Sequence, residues 1–277
     1  MDKPAGLTSH DVVARVRRVL KTRAVGHTGT LDPFATGLLL VLVGPVTRLA
    51  RFLEGQDKGY HAVARLGMAT DTEDATGTVV ATVEPEQWPG RAVVEAAMAG
   101  LVGEQMQVPP AYSAKRIDGT RSYQMAREGR PVSPAAVSVT VREFRCLDWT
   151  PPLLEFRTVV SAGTYVRSLA RDLGAELGLG GHLTALRRET IGSWRVDDAV
   201  TLDQLVPGMP LIGPAELLRE LPEVSLTADE ARDVSHGRLV RRAQTAGRAR
   251  LLDGNRLVAV GESTPQGWHP MVVLEGA

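Results

Sequence analysis

The sequence contains one cysteine, few aromatic residues and no long hydrophobic run. The single cysteine, Cys146, excludes an intrachain disulfide and a cysteine-cluster metal site, and we interpret it as a small apolar residue near a strand end. No apolar run reaches the roughly 20 residues that span a bilayer, and no basic and apolar leader precedes a cleavage site. We therefore expect a cytoplasmic protein that makes no contact with a membrane.

Patterns that bind metal ions are also lacking. The acid-rich residues 70–77 look like a calcium loop, but Ala75 interrupts the alternating acids that an EF-hand requires, so we predict a turn. Five histidines have no zinc-ligand partner at a suitable spacing: His10, His61, His182, His236 and His269. We predict no metal site. Because only 4% of the residues are aromatic, broad stacking on single-stranded RNA is not the expected mode of binding.

The 277 residues have an ordinary globular composition, with 43% hydrophobic and 23% charged residues. That length predicts one large domain with a smaller one appended, which we place at residues 1–210 and 220–277. Acidic and basic residues cancel over the whole chain, but their distribution is uneven. Residues 1–51 and 232–256 both carry an excess of arginine and lysine over acidic residues. This distribution predicts that the protein binds a long polyanion and contacts it at both ends.

Hydrophobic periodicity predicts both helices and strands. The predicted helices cover residues 9–21, 90–101 and 164–178. The predicted strands cover residues 38–43, 58–67, 137–147 and 153–161, with further short strands after Pro222. Because these elements do not alternate regularly, the expected class is α+β rather than a doubly wound sheet. Arg167 and Arg171 lie off the apolar stripe of their helix, where a surface arginine is the plain interpretation.

A polar, basic segment at residues 107–135 interrupts the hydrophobic periodicity, and we predict that it is an insertion that leaves the core. Long insertions of this kind are usually functional loops or linkers. This one contains basic and aromatic residues suited to gripping RNA: Lys115, Arg116, Arg121, Arg127, Arg130, Tyr112 and Tyr123.

The most informative segment is GHTGTLDPFATG, residues 26–37. Its glycines suggest a phosphate loop, but the Gly-Lys-Ser/Thr ending is absent, so nucleoside triphosphate binding is not predicted. Pro33 favours an extended Asp32 whose carboxylate lies in a loop. From the residues alone, an aspartate that stabilises a turn remains the stronger interpretation of Asp32, with catalysis as the alternative.

Five segments in order resemble the successive motifs of the TruB-type pseudouridine synthases. They are DKPAGLTSHDVV (2–13), GHTGTLDPFATGLLL (26–40), KGYHAVARLGMATDTEDATG (58–77), PPAYSAKRIDG (109–119) and GTYVRSLARDLG (163–174). The resemblance implies a catalytic domain with a mixed, mainly antiparallel sheet flanked by helices. It also implies a small C-terminal β-rich domain similar to the PUA RNA-binding module.

The same resemblance implies an activity. Members of the family isomerise the T-loop uridine of tRNA, position 55, to pseudouridine, and Asp32 matches their essential aspartate. The base is detached from the sugar, turned and rejoined through another atom, so no redox cofactor or metal is required. The carboxylate could attack covalently, deprotonate the sugar or stabilise charge, and the sequence leaves these routes open.

Further residues match family positions one by one. Arg167 matches the arginine that pairs with the aspartate and keeps it ionised. Tyr60 matches the tyrosine that stacks on the target base, and His27 matches the histidine of the RNA-binding loop. The remaining matches are Tyr165 and Leu186 in the uracil pocket, and Lys3, which we expect to support the active-site loop. The expected partner is the T-arm stem-loop of tRNA, and a monomer is the default state.

Three rival functions and one departure accompany this interpretation. A protein of this fold could bind and fold tRNA with little need of catalysis, or act on ribosomal RNA under the direction of a guide RNA. A small-molecule transferase, the remotest rival, would act on free uridine or UMP. The basic insertion favours the stand-alone tRNA enzyme over the guided form. Family members also have an apolar strand before the DKP motif, whereas Asp2 directly follows Met1 here, so we expect that strand to be absent or supplied otherwise.

Overall fold

A computed structural model describes residues 1–113, 116–117, 120–121, 125, 134–242 and 247–274. The helices are α1 (Ser9–Val19), α2 (Ala50–Leu53), α3 (Arg91–Gly100), α4 (Val166–Glu176), α5 (Pro214–Leu217) and α6 (Ala228–Ser235), with 3-10 turns at Gly44–Leu49 and Val196–Asp198. The first strands are β1 (Asp2–Lys3), β2 (Val25–Thr28), β3 (Thr36–Leu38), β4 (Leu40–Val43), β5 (Lys58–Leu66), β6 (Met68–Thr70), β7 (Val79–Thr82), β8 (Gly103–Gln107), β9 (Arg116–Ile117) and β10 (Thr120–Arg121). The later strands are β11 (Val137–Thr150), β12 (Leu153–Val160), β13 (Gly181–Ile191), β14 (Trp194–Arg195), β15 (Glu223–Ser225), β16 (Arg248–Asp253), β17 (Arg256–Thr264) and β18 (Gly267–Val273).

The described chain divides into two compact units. The first contains Met1–Thr8, Leu31–Leu38 and Gln56–Ala199, and the second contains Ser9–Thr30, Leu39–Gly55 and Val200–Ala277. Each unit therefore collects segments that are distant in sequence. The division at residues 1–210 and 220–277 remains a prediction about domains.

The first unit is built on an eight-stranded sheet. Its strand order is β1-β3-β13-β5-β12-β11-β8, with β14 beside β13. The β3–β13 pair is parallel, and the other pairs in this sheet are antiparallel. The α+β class and the mixed, mainly antiparallel sheet are thus confirmed.

Strand β5 shows why this sheet has one covered face. Tyr60, Ala62 and Ala64 are buried, whereas the alternating residues between them are partly exposed. The buried side chains join those of α3 and α4 in one hydrophobic core. On the other face, His61 lies 2.6 Å from Glu155 of the neighbouring strand. This alternation fixes the register of β5.

The second unit contains smaller hydrophobic clusters. Val13 and Val16 of α1 pack against Val25 of β2 and Leu205. The C-terminal part is a four-stranded sheet in the order β15-β16-β17-β18, covered by α6. Thr227 and Glu230 form a reciprocal capping box at the start of α6. A small C-terminal β-rich domain is therefore confirmed.

Candidate active site

Asp32 is presented by a loop whose neighbouring side chains are anchored in the core. Leu31 and Ala35 are buried on either side of it, while the Asp32 side chain keeps 33% of its surface exposed. The backbone amide of Gly6 donates to the carbonyl oxygen of Pro33 at 2.8 Å. The loop is therefore fixed by packing and backbone hydrogen bonds, and its one carboxylate remains partly exposed.

Arg167, in the first turn of α4, is the direct partner of Asp32. Its Nη2 donates to Oδ1 of Asp32 at 3.1 Å, and its Nε lies 2.9 Å from Oδ2 without the direction of a hydrogen bond. The guanidinium also donates to the carbonyl oxygens of Thr72 and Tyr112, at 2.8 and 2.9 Å. Because only 4% of its side chain is exposed, Arg167 is held in one position rather than lying on the surface as the helical pattern suggested.

Asp74 is a second carboxylate at this site, and the sequence pattern did not predict its role. Its Oδ2 lies 3.4 Å from Nη1 of Arg167, and its Oδ1 accepts hydrogen bonds from the hydroxyl groups of Thr72 and Thr76. Only 4% of Asp74 is exposed. The residues form a turn, as predicted, but the turn also places a charge against the arginine of the site. The sequence offered one signal, because Asp74 lies within a family motif.

The pKa of Asp32 is raised by some of its surroundings and lowered by others. Burial of the carboxyl raises the pKa of Asp32 above its ordinary value, and this effect is the largest. The positive charge of Arg167 lowers the pKa, while the negative charge of Asp74 raises it. The arginine therefore favours ionisation as expected, but the net pKa of Asp32 remains raised because burial outweighs that attraction.

Tyr60 and Leu186 lie in the hydrophobic core that also contains Leu31 and Ala35. Both side chains are less than one-tenth exposed, at 7% and 8%. Tyr165 immediately precedes α4, and its backbone is held by the side-chain amide of Gln107, which accepts from the Tyr165 amide at 2.8 Å. The structure thus places these three residues in the same unit as Asp32.

Lys3 is fully buried beneath the loop. Its Nζ donates to the carbonyl oxygens of Pro4, Leu7 and Pro33, the last at 3.3 Å. The ammonium therefore ties the N-terminal segment to the residue that follows Asp32. It is too fully enclosed by backbone oxygens to approach a substrate.

The other predicted residues are not brought to this site by the described contacts. His27 lies half-buried on β2, in the second unit. Lys115 and the side chain of Arg116 lie outside the described residues, as does most of the predicted insertion. Among the residues that are described, no group of three or more histidine, cysteine or acidic side chains could hold a metal ion, and no helix is both long and apolar enough to cross a membrane.

Comparison with known proteins gives a consistent result. Residues 17–166 match the TruB family pseudouridylate synthase N-terminal domain, and residues 167–212 match the tRNA pseudouridylate synthase B C-terminal domain. Proteins named tRNA pseudouridine synthase B are similar in Thermobifida fusca, at 44% identity, and in Mycobacterium sp. (strain KMS), at 43%. Both comparisons cover 100% of this chain, with 98% and 95% of those proteins covered respectively.

The fold also has solved counterparts. A chain in the archaeal box H/ACA sRNP Nop10-Cbf5 complex superposes with a TM-score of 0.72, covering 98% of this chain and 84% of that chain at 23% identity. That likeness concerns the fold alone. The family matches span most of the sequence and include the loop of Asp32 and the start of α4, so the chain belongs to the TruB family of pseudouridylate synthases.

Proposed function

We propose that this protein isomerises the T-loop uridine of tRNA, position 55, to pseudouridine, with Asp32 as the catalytic residue. The observation that carries the proposal is the buried Arg167 whose guanidinium holds the carboxylate of Asp32 at two atoms. A full-length relationship to proteins named tRNA pseudouridine synthase B supports tRNA as the substrate.

The reaction is an internal exchange of bonds. The bond between N1 of uracil and C1′ of ribose breaks, and a bond between C5 and C1′ forms. N1 gains a proton and C5 loses one, so no oxidant or reductant is needed. Covalent attack, sugar deprotonation and charge stabilisation each require an ionised carboxylate near the ribose, and Asp32 supplies it.

The base must leave the folded loop before it can react. Extrusion of a nucleotide costs a few kcal/mol, which stacking and phosphate contacts offset. In this proposal Tyr60 provides the stacking surface, Tyr165 and Leu186 line the uracil pocket, and His27 contacts the RNA. Lys3 supports the loop through Pro33, while Lys115 and Arg116 contact the stem from the insertion.

Arg167 has two tasks in this mechanism. Its positive charge lowers the pKa of Asp32 and so opposes burial, which raises that pKa. Arg167 therefore favours the ionised form of the carboxyl. It also restricts the carboxylate to one orientation, because the guanidinium is fixed by Asp74 and by two backbone carbonyls. Asp74 accordingly acts on the reaction through Arg167.

The location of the product tests the proposal. An unmodified tRNA transcript and an isolated T-arm hairpin are treated with the protein, and pseudouridine is mapped by carbodiimide labelling and primer extension. We expect one new stop, at the T-loop uridine, in both RNAs. Tight tRNA binding without any stop supports the RNA-folding alternative instead, and modification of ribosomal RNA only with an added guide supports the guided one.

Such an enzyme would work as a monomer in the cytoplasm, where its tRNA substrate is found. The PUA-like C-terminal domain would add RNA contacts outside the active site. Size-exclusion chromatography with light scattering, with and without tRNA, checks the stoichiometry. A dimer that forms at working concentrations would contradict the monomer.

A further inference from the structure

The turn that carries Asp74 presents a second acid to the same helix. Glu73 Oε1 lies 2.5 Å from Nη1 of Arg171, while the adjacent Asp74 faces Arg167. Arg167 and Arg171 are four residues apart in α4, so they occupy one side of the helix on successive turns. Two consecutive acids of one turn therefore meet two successive arginines of one helix.

The backbone of Glu73 adopts a conformation that glutamate rarely takes. Its φ is +61°, in the left-handed region that favours glycine or asparagine. Strained positions of this kind persist only where surrounding contacts fix them. Here the carboxylate accepts from Arg171 and from Ser168 Oγ at 2.9 Å, and the backbone carbonyl accepts from the amide of Leu183 at 3.1 Å.

The same arginines hold the beginning of the predicted RNA-gripping insertion. Arg171 Nη2 donates to the carbonyl oxygen of Val108 at 3.0 Å, and Ser168 Oγ lies 3.1 Å from that oxygen. Arg167 binds the carbonyl of Tyr112, four residues further along. The first turns of α4 thus connect the acidic turn, the start of the insertion and Asp32.

We propose that Glu73 and Arg171 are positioning residues for catalysis: their ion pair fixes the acidic turn, and the turn then holds Arg167 against Asp32 through Asp74. Neither residue touches the substrate. This inference rests on the function proposed above. It follows from geometry, because Asp74 cannot keep its place beside Arg167 if the preceding residue leaves its left-handed conformation.

Single-turnover rates of pseudouridine formation test the inference. In Glu73→Gln and in Arg171→Gln we expect the rate to fall about tenfold, because a small displacement of Arg167 misaligns the reacting carboxylate. In Glu73→Gln the affinity for tRNA should stay within about twofold of wild type, since in this proposal Glu73 does not contact RNA. Arg171→Gln also removes the hydrogen bond to Val108 at the start of the insertion, so its rate is compared at saturating enzyme. The double variant should be no slower than the slower single variant, because the two side chains act as a unit.

Two further variants separate positioning from folding. Glu73→Gly suits the left-handed backbone but lacks the carboxylate, and we expect it to fold and still lose rate. Glu95→Gln removes one half of the exposed Arg91–Glu95 pair, whose atoms lie 2.8 Å apart, and should react at the wild-type rate. Wild-type rates in folded Glu73→Gly and Glu73→Gln proteins would overturn the inference.

A measurement independent of activity completes the test. The pKa of Asp32 is followed by carboxyl-carbon NMR, with Asp32→Asn identifying its signal. Among the residues that the structure describes, the charged groups that act on this carboxyl are Arg167, Asp74 and Lys3. In Glu73→Gln we expect the pKa of Asp32 to rise, because a loosened Arg167 stabilises the carboxylate less. An unchanged pKa refutes the positioning role even if no RNA substrate is found, whereas a shifted pKa with an inactive wild type refutes only the proposed function.

Discussion

At the residue scale, the raised pKa of Asp32 has a consequence for stability. Its folded-state pKa lies above the unfolded value because burial disfavours the charge. The neutral carboxyl therefore gives a more stable fold than the ionised one. This stabilisation is fully present below the pKa of Asp32 in the unfolded state, and it is lost as pH rises through the pKa in the folded state. Above its folded-state pKa, ionised Asp32 lowers the free energy of unfolding.

We therefore expect Asp32→Asn to unfold at the wild-type temperature or above it at pH 7. The difference should shrink as pH falls through the folded pKa of Asp32, where the wild-type carboxyl becomes neutral as well. In the variant Arg167 keeps Asp74 and two carbonyl oxygens as partners, so its buried positive charge remains paired. Calorimetry between pH 4 and 8 checks this, and a clearly less stable variant at pH 7 would contradict it.

The sequence predicted residue identities at the site better than their surroundings. The family motifs pointed to Asp32 and Arg167, which the structure places in contact. The helical pattern could not predict the burial of Arg167, because that burial depends on contacts with residues 72, 74 and 112, which are remote in sequence. For the same reason Asp74 read only as part of a turn.

At the element scale, Gly37 joins the loop of Asp32 to the main sheet. It pairs with Arg188 where β3 and β13 run parallel, and its φ is +104°. A Cβ atom at this position would approach three backbone atoms of Arg188 to 3.0 Å or less. Neither the conformation nor the space suits any other residue.

Replacing Gly37 with alanine should lower the free energy of unfolding by about 2 kcal/mol or more, from strain and from displacement of the paired strand. Gly103→Ala is the matched control, because Gly103 has a φ of +112° but no atom within 4 Å of the added Cβ. It should cost about 1 kcal/mol, from the backbone alone. Urea denaturation measures the free energy of unfolding of both variants. Equal losses would show that the close approach of the paired strand at Gly37 adds nothing to the destabilisation.

The elements themselves were largely predictable, and their pairing was not. The helices at 90–101 and 164–178 match α3 and α4 within two residues at each end. The apolar run 38–43, predicted as one strand, instead divides between β3 and β4, which pair with β13 and β2 respectively. Hydrophobicity predicts burial, but it does not specify which strand lies alongside.

At the scale of the whole molecule, one arginine of each basic zone lies beside the same aromatic ring. Within the second unit, the guanidinium carbons of Arg51 and Arg248 lie 5.0 and 5.6 Å from the ring centre of Phe52. Arg48 lies nearby in sequence and donates to the carbonyl oxygen of Val273 at 2.8 Å. Arginines from both zones therefore contribute to one exposed surface.

If tRNA phosphates bind to this surface, Arg51→Gln and Arg248→Gln should each weaken tRNA binding. The slope of log affinity against log salt concentration should fall by about 0.9 for each phosphate that is no longer neutralised. Arg91→Gln, an exposed arginine on α3 in the first unit, serves as the control and should leave the slope unchanged. Filter binding over a range of salt concentrations measures all three, and an unaltered slope in the double Arg51 and Arg248 variant would exclude the surface.

In the proposed reaction Asp32 performs the isomerisation while other residues bind the RNA. Tritium release from tRNA labelled at C5 of uridine, under single-turnover conditions, tests it most directly when wild type and Asp32→Asn are compared at equal occupancy. We predict that the variant binds tRNA within about threefold of wild type and releases tritium at least about a thousandfold more slowly. Release at a rate within tenfold of wild type would contradict the assignment of Asp32.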